Sequence, residues 1–599
     1  MSQTNKSQIE NERQRMKTWV QFYLVTVSIM FLTGLNVCGE EVPPRIITAQ
    51  ESEKASRDFS TQEFEFDIAE GPFEPSSDSF AKHYSCPDWF RDAKFGIYSH
   101  WGLCTVPGFD GHYARFMYMQ HEPQAYRDDR NVRRRGMSGY KPGRESVYEY
   151  HVKNFGHPSK FGYKDFVSLW KAEKFNPMEL AELFRSVGAK YFGVMAVHCD
   201  NFDNYDSEHQ EWNSAKMGPK RDIVGDWKKA CEANGLRFAV TSHLSNHTHE
   251  HLFFQGETDT TGPLKGVPYD TMNSANDGLY GYRTPDRLKR INPTFSRNWY
   301  LRTKDLIDKY DPDLLYLDGP LPNGDYGLNL AAHYYNHNLQ QNNGKLDGVF
   351  TIKRTTPEGF TLDMELQGLD EIRKDPWQTD TSINPGWFYM GKEISGGEKQ
   401  AMTDDAGMGG SDLGQQGDLL RLDAGKVIDN LVDIVSKNGN MMLNVGLRAD
   451  GSLPETYRDE LLKIGAWLQV NGEGIFGSRP FVVYGEGPFR MPTTGQAFND
   501  HQYDFTGEDI RFTTKKDTLY AFLMAYPDSK QVLIKSLSEK QIGKQTVRSV
   551  TMLGSDEELE YQLTKDGLSV SLPQQEPCDY AYGLRIQGLD LTKPIKNKK

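Results

Sequence analysis

Apolar residues along this chain fall into short continuous runs, and between the runs lie segments with a helical rhythm. KFGIYSH (94–100) reads as a strand. MELAELFRSVG (178–188) repeats its apolar residues at the spacing of one helix face and stops at a glycine. The alternation then continues. KYFGVMAVH (190–198) predicts a strand, DIVGDWKKACEANG (222–235) a helix closed by glycine, and LRFAVTSH (236–243) a strand. NWYLRTKDLIDKYD (298–311) is a helix and LLYLDG (314–319) a strand, followed by helix LNLAAHYYNHNLQQNNG (328–344) and strand GVFTIKR (348–354). Helix GDLLRLDAGKVIDNLVDIVSKNG (417–439) and strand MMLNVG (441–446) close the series. Strands without internal polar alternation are those of a parallel sheet covered on both faces. Alternation over this length favours a (β/α)8-like barrel over two open sheets.

After NGEGIFGSRPF (471–481) the texture changes. TLYAFLMAY, QVLIKSL, VRSVTML, LSVSL and YGLRIQ are short strands between turns, and they predict a C-terminal antiparallel β-sandwich. GEGPFRMPTTGQAFND, from Gly485, has the Gly, Pro and polar content of a linker. The expected organisation is a targeting segment at 1–39, a polar and acidic leader at 40–85, a barrel at 86–481 and a sandwich at 482–599. No long repeat or low-complexity tract interrupts it.

Composition adds constraints. The 599 residues exceed one ordinary domain, and the 12% aromatic share suits sugar binding. A net charge of −14 argues against a nucleic-acid partner. Lys6, Arg13, Arg15 and Lys17 precede the apolar run WVQFYLVTVSIMFLTGL and then small residues, the layout of a secretory signal cut after Gly39. The chain is therefore expected to be secreted or periplasmic, or membrane-anchored if the run is retained; Cys38 before the cut raises a lipoprotein reading. The six cysteines, Cys38, Cys86, Cys104, Cys199, Cys231 and Cys578, include no CxxC pair, and the sequence assigns no bridge among them.

The chemistry gathers at strand ends. In a β/α barrel the C-terminal ends of the strands form one pocket. His100, His198, His243 and Asp318 each end a predicted strand. Asp318 closes the apolar run Leu314–Leu317 and precedes a glycine, so a plain Asp-Gly turn competes with a chemical role. Glycoside hydrolysis needs two carboxylates. Downstream candidates are Asp363, Glu365, Asp370, Glu371 and Asp380; alternation in TLDMEL puts Asp363 and Glu365 on one face, Glu365 nearer the pocket. A metal hydrolase built on SHLSNHTHEH, with His243, His247, His249 and His251, competes, but the segment lacks the glutamate of HExxH and reads more simply as a solvated loop. NHT at 246–248 is also a glycosylation sequon.

Several long segments carry a resemblance. WFRDAKFGIYSHWGLCTVPG (89–108), the block from FNPMELAELFRSVG through AVHCDNFDNYDSEHQEWNSAKMGPKRDIVGDW, YDPDLLYLDG, LVDIVSKNGNMMLNVG and IGAWLQVNGEGIFGSRPF resemble glycoside hydrolase family twenty-nine, the α-L-fucosidases. The likeness runs from about Trp89 to Phe481. It implies an exo-acting retaining glycosidase that releases α-L-fucose from fucosylated oligosaccharides or polysaccharides, with no cofactor and no metal. It implies Asp318 as the nucleophile. The acid/base falls on Glu365 in MELQG before WQTDTS; the arginine of the family's pattern is here Leu366, which leaves Glu358 and Glu371 open. The resemblance implies a sugar site drawn from His100, Trp101, His112, Tyr113, His198, Cys199, His243, Tyr316 and Trp387. Two departures stand out. Cys199 follows His198 where the family has a second histidine, and His112-Tyr113 replaces an acid-plus-Trp pair. Changed polar partners imply a changed sugar or linkage, with L-galactose the natural variant, or a sugar-binding relative without turnover.

Overall fold

The computed structural model describes residues 64–121, 146–244, 257–280, 293–321, 325–353, 358–391, 418–490, 504–555 and 557–591. The targeting segment, Cys38, the sequon and His247, His249 and His251 lie outside these residues. Among the described residues no helix is long and apolar enough to cross a membrane, and no disulfide joins the five cysteines they include.

Eight parallel strands close into a barrel in chain order. They are β1 (Phe95–Ser99), β2 (Tyr191–Val197), β3 (Arg237–Ser242), β4 (Leu314–Leu317), β5 (Val349–Lys353), β6 (Thr361–Asp363), β7 (Trp377–Ser382) and β8 (Gly439–Asn444), with β8 pairing back to β1. The interior is filled by large side chains, among them Tyr98, Tyr191, Tyr316 and Met442. Gly96 makes room for one of them, because a Cβ there would lie 2.2 Å from the Tyr191 ring.

The helices follow the expected rhythm. Asn176 caps α1 (Pro177–Ser186), with a proline at the first position, where no amide is needed. Asp222 caps α2 (Ile223–Asn234), which ends at Gly235 with φ 67°, the left-handed close that glycine takes without strain. Next come α3 (Pro293–Tyr310), α4 (Asp325–Gln341), α5 (Ala424–Ser436) and α6 (Glu455–Ile475). Helix α5 starts later than its sequence pattern, because the Asp423 side chain accepts the Lys426 amide and fixes the start there.

Two connections depart from strand-helix alternation. Among the described residues no helix lies between β5 and β6 or between β6 and β7. TLDMEL is a strand only as far as Asp363; beyond it Glu365 and Leu366 take φ of 36° and 55°, so strand alternation does not set where Glu365 points. The 364–376 segment is instead tied down along its length. Asn438 Nδ2 donates to the Arg373 and Lys374 carbonyls at 3.1 Å each, and the Tyr484 hydroxyl donates to Asp370 at 2.7 Å.

Tyr484 lies on β9 (Arg479–Glu486), which pairs with β10 (Ile510–Lys515). With β11 (Thr518–Leu523), β12 (Gln531–Ile534), β13 (Ser549–Met552), β14 (Tyr561–Leu563), β15 (Leu568–Ser571) and β16 (Tyr582–Gln587) it forms an antiparallel sandwich. The five-stranded sheet has order β13-β16-β11-β10-β9 and the three-stranded sheet β12-β15-β14. Phe512, Leu519, Val532, Val550, Leu568 and Leu584 share the core between them. Strand β9 runs across the expected 481/482 boundary, since Phe481 belongs to this core and packs on Phe512 at 5.8 Å. The described part of the leader is likewise packed. Phe73 and Phe80 are buried against Tyr335, and the Ala69 amide donates to His333 Nδ1 at 3.0 Å.

A buried ion triad joins barrel and sandwich. Asp433 on α5 accepts from Arg511 Nε on β10 and from Lys437 Nζ, both at 2.6 Å, and all three are almost fully buried. Burial pushes the Asp433 carboxyl up, but the two cations outweigh it and hold it below the usual range. Asp433→Leu is expected to cost about 3 kcal/mol, because it leaves the buried Arg511 and Lys437 cations without their counter-ion. Removing the exposed Arg458–Glu179 contact by Arg458→Met should change nothing measurable. Urea unfolding monitored by tryptophan fluorescence compares the two; equal midpoints would show that the triad does not hold the domains together.

Candidate active site

The strand ends converge at the C-terminal mouth of the barrel. Asp318 follows β4, and its amide donates to the Ser242 carbonyl of β3 at 3.0 Å. Its Oδ2 lies 3.0 Å from His243 Nδ1, and its Oδ1 lies 2.7 Å from Lys353 Nζ. The Asp-Gly pair therefore ends in an ion-paired carboxylate, which answers the cost of a charge after an apolar run. Burial pushes the Asp318 carboxyl up, but Lys353 and His243 outweigh it and hold it well below its ordinary range.

Glu365 reaches the same cation, its Oε2 3.0 Å from Lys353 Nζ. The facing oxygens of Asp318 and Glu365 are therefore at most 5.7 Å apart, the two contacts laid end to end. The Glu365 carboxyl is pushed up to about 7, first by burial and further by Asp380 and Asp318, against the pull of Lys353. Its side chain keeps 28% of its surface open to solvent. Glu358 and Glu371 are exposed at the surface. Asp363 accepts from Gln378 Nε2 and from the Glu365 amide, both at 2.9 Å, so it braces the turn that aims Glu365. Asp380 is buried and accepts the Tyr98 and Tyr316 hydroxyls at 2.8 and 3.1 Å. Asp370 belongs to the contact with Tyr484 described above.

Opposite the carboxylates stands a wall of imidazoles. The rings of His100 and His243 are 4.6 Å apart, those of His198 and His243 4.8 Å, and that of His112 lies 5.8 Å from His198. Burial first, and neighbouring imidazoles second, push His100 and His198 well below the usual value. Burial and then Arg115 push His112 down to about 4. These three are neutral, each with one ring nitrogen that donates and one that accepts. His100 Nδ1 meets Asn444 Oδ1 at 3.1 Å, which makes that nitrogen the donor and leaves Nε2 as the acceptor. Trp387 closes one side, with its ring 5.0 Å from that of His100.

The three imidazoles of His100, His198 and His243 have nitrogens near enough to share a metal ion. The hydrogen bonds oppose it, because His243 already spends Nδ1 on Asp318 and Nε2 on the Thr241 hydroxyl at 3.2 Å. A second such group, Asp308, His333 and His337, lies on α3 and α4. There His333 accepts the Ala69 amide at Nδ1 and donates to Asp308 from Nε2 at 2.8 Å, so neither nitrogen is open.

Not every expected sugar contact reaches the pocket. Trp101 is buried between Trp170 and Phe175 and donates to the Arg448 carbonyl at 2.8 Å. Tyr113 spends its hydroxyl on His151 at 2.9 Å and packs on Tyr150 and Phe166. Both are packing residues. Cys199 is buried with its sulfur 4.0 Å from the His243 carbonyl, and the Tyr316 ring lies 5.6 Å beneath the Lys353 ammonium. Lys353 itself is the residue the sequence reading missed. It ends the apolar run VFTIK just as Asp318 ends its own strand, so the same signal was there.

A family model described as alpha-L-fucosidase matches residues 60–405 and 399–473. The chain belongs to the α-L-fucosidase family. It is therefore a glycoside hydrolase, and the α-L-fucosidase C-terminal domain matches residues 502–587. Tissue α-L-fucosidase of Mus musculus is 26% identical over 519 residues, which cover 84% of this chain and 91% of the relative. The α-L-fucosidase of Dictyostelium discoideum is 26% identical over 512 residues, 82% of this chain and 90% of its own. Among solved structures, the Thermotoga maritima α-fucosidase in complex with a mechanism-based inhibitor is 26% identical. Its TM-score is 0.59, and the match covers 86% of this chain and 100% of that one. An α-L-fucosidase from Bacteroides thetaiotaomicron shares the fold at 17% identity and a TM-score of 0.53, over 88% and 98% of the two chains.

Proposed function

We propose that this chain is an exo-acting retaining α-L-fucosidase that works by double displacement. Asp318 attacks the anomeric carbon while Glu365 gives its proton to the departing oxygen. Water then attacks the glycosyl ester as Glu365 takes a proton back, and Asp318 leaves. The observation that carries this reading is the spacing of the two carboxylates. With their facing oxygens at most 5.7 Å apart across one shared ammonium, the pair is closer to the about 5–5.5 Å of retention than to the about 6.5–9.5 Å that inversion uses to seat a water. Their opposed proton affinities supply the division of labour, one carboxylate ionised and the other protonated near neutral pH. The mechanism-based inhibitor bound by the Thermotoga maritima relative is in keeping with a covalent route. His100, His198, His243, His112, Tyr316 and Trp387 shape the sugar site, and Cys199 stands where a second imidazole would add a hydrogen-bonding group. That last feature favours a widened sugar specificity, so α-L-galactosides are the second substrate class to test. The residues preceding the barrel fit export, and the catalytic barrel ends where β9 begins. The substrates are fucosylated glycans.

Proton NMR during hydrolysis of 4-nitrophenyl α-L-fucoside and α-L-galactoside tests the reading. The α-anomer of the free sugar should appear first and the β-anomer only by later mutarotation. First release of the β-anomer would make the enzyme inverting, and no release from either glycoside would favour a sugar-binding protein.

A further inference from the structure

Lys353 occupies a place that neither the sequence reading nor the two-carboxylate scheme accounts for. It is the last residue of β5, nine-tenths buried, with its ammonium between two carboxylates that follow different strands. From β4 it meets Asp318 at 2.7 Å, and from the turn after β6 it meets Glu365 at 3.0 Å. Asp380 on β7 lies 3.9 Å away, and the Tyr316 and Trp387 ring centroids lie 5.6 and 6.0 Å away. A buried ammonium is costly unless paired, and here the partners are the two groups assigned to the chemistry. An ordinary structural lysine would neutralise one acid and point away from the reacting atoms.

We infer that Lys353 is a positioning residue that holds Asp318 and Glu365 at their working separation and balances their charge through both steps of the reaction. The inference rests on the assignment of those two residues under the proposed function. Before reaction, Asp318 is an anion and Glu365 carries a proton, so the ammonium is balanced by Asp318. In the first step the Asp318 oxygen bonds to the anomeric carbon, the bond to the leaving oxygen breaks, and the Glu365 proton moves to that oxygen. Asp318 is now a neutral ester and Glu365 an anion. The negative charge has crossed from one side of Lys353 to the other, and the ammonium touches both places. In the second step water bonds to the carbon, gives its proton to Glu365 and frees the Asp318 carboxylate, and the charge returns. The trio Asp318, Lys353 and Glu365 carries the same net charge at each stage, so no uncompensated charge forms in a low-dielectric pocket.

The groups facing the ammonium fix the sign of a pH test. They are Asp318 from β4, with His243 of β3 behind it, Glu365 and Asp363 from β6 and its turn, and Asp380 from β7 with the Tyr98 and Tyr316 hydroxyls on it. Lys353 stabilises the ionised form of both Asp318 and Glu365. Removing it raises both proton affinities.

Lys353→Met keeps the length of the side chain and removes the charge. With an aryl α-L-fucoside its kcat/KM should fall about 100-fold. Both limbs of the pH profile should move upward, by about one pH unit or more. Lys353→Arg, which restores the cation, should return both limbs toward their original positions, a response that loss of packing alone would not give. If Lys353→Met does not fold, judged by circular dichroism, Lys353→Gln is held to the same numbers. A folded variant within threefold of the parent, or with limbs unmoved, overturns the inference. Asp318→Gly is run beside it: an inactive Asp318→Gly with an unaffected Lys353→Met sinks only the role of Lys353, whereas an active Asp318→Gly sinks the assignment beneath it.

Discussion

Asp318→Gly is expected to lower kcat on an aryl α-L-fucoside by at least about ten-thousand-fold, or about 5 kcal/mol of barrier, because under the proposed double displacement it deletes the attacking atom. The protein should stay folded. Lys353, the group left behind, still has Glu365 at 3.0 Å, which ionises beside the ammonium once the repulsion of Asp318 is gone, and His243 still has Thr241, so no buried charge is stranded. Stereochemistry makes the test specific. With Asp318 absent, added azide enters the vacated space and attacks the anomeric carbon once, on the face the carboxylate used. A single displacement inverts, so the product should be the β-L-fucosyl azide. Circular dichroism confirms the fold, and NMR identifies the azide. Near-parental turnover by a folded Asp318→Gly chain would remove Asp318 from the mechanism.

Glu365→Ala should separate substrates by leaving group. Glycans with poorly stabilised leaving oxygens need the proton and should lose about a thousandfold in kcat/KM, while activated aryl fucosides lose little in the first step. For those substrates the second step, which needs a base to activate water, becomes slow. Azide needs no base, so it should restore turnover and give the α-L-fucosyl azide, since two displacements retain configuration. Opposite azide anomers from the two variants would distinguish nucleophile from acid/base in one experiment. The pH profile supplies a further check. The acid works only while protonated, and its carboxyl is pushed up to about 7, so parental kcat/KM should fall as pH rises through that value. With an activated substrate that alkaline limb should vanish in Glu365→Ala. If the limb persists, or if Glu371→Ala reproduces the leaving-group dependence, the acid/base lies elsewhere.

The histidines and Asp318 were legible because the signal is local. An apolar run that stops on a polar side chain places that side chain at the barrel mouth, whatever the rest of the chain does. Strands β6 and β7 were harder to see. Thr361-Leu362-Asp363 and Trp377-Gln378-Thr379-Asp380-Thr381-Ser382 are short and polar, because their side chains face an interior already furnished with hydroxyls and carboxylates. Strand alternation pointed Glu365 toward the pocket, and it does reach Lys353 there, but not as a strand residue. Two left-handed residues, braced by Asp363, aim it, and strand periodicity does not carry that information. Trp101 and Tyr113 show the opposite limit. An aromatic beside a pocket motif looks the same in sequence whether it faces a sugar or a core, and only the packing against Trp170 and Phe175, or the hydrogen bond to His151, tells them apart.

The segment from β6 to β7 bears on how the two halves of the molecule work together. A helix follows each of the strands β2, β3 and β4 that lead to His198, His243 and Asp318. Here the support is borrowed. Tyr484 of the C-terminal sheet holds Asp370, five residues past Glu365, and Asn438 pins the carbonyls beyond it. The sandwich is thus a buttress for the segment that carries Glu365, although it contributes no side chain to the pocket described above. A barrel cut free before Arg479 would keep Asp318 and the imidazoles but lose the outer support of Glu365. An exchange of C-terminal domains between relatives would likewise have to carry residues 364–376 along with the strand that steadies them.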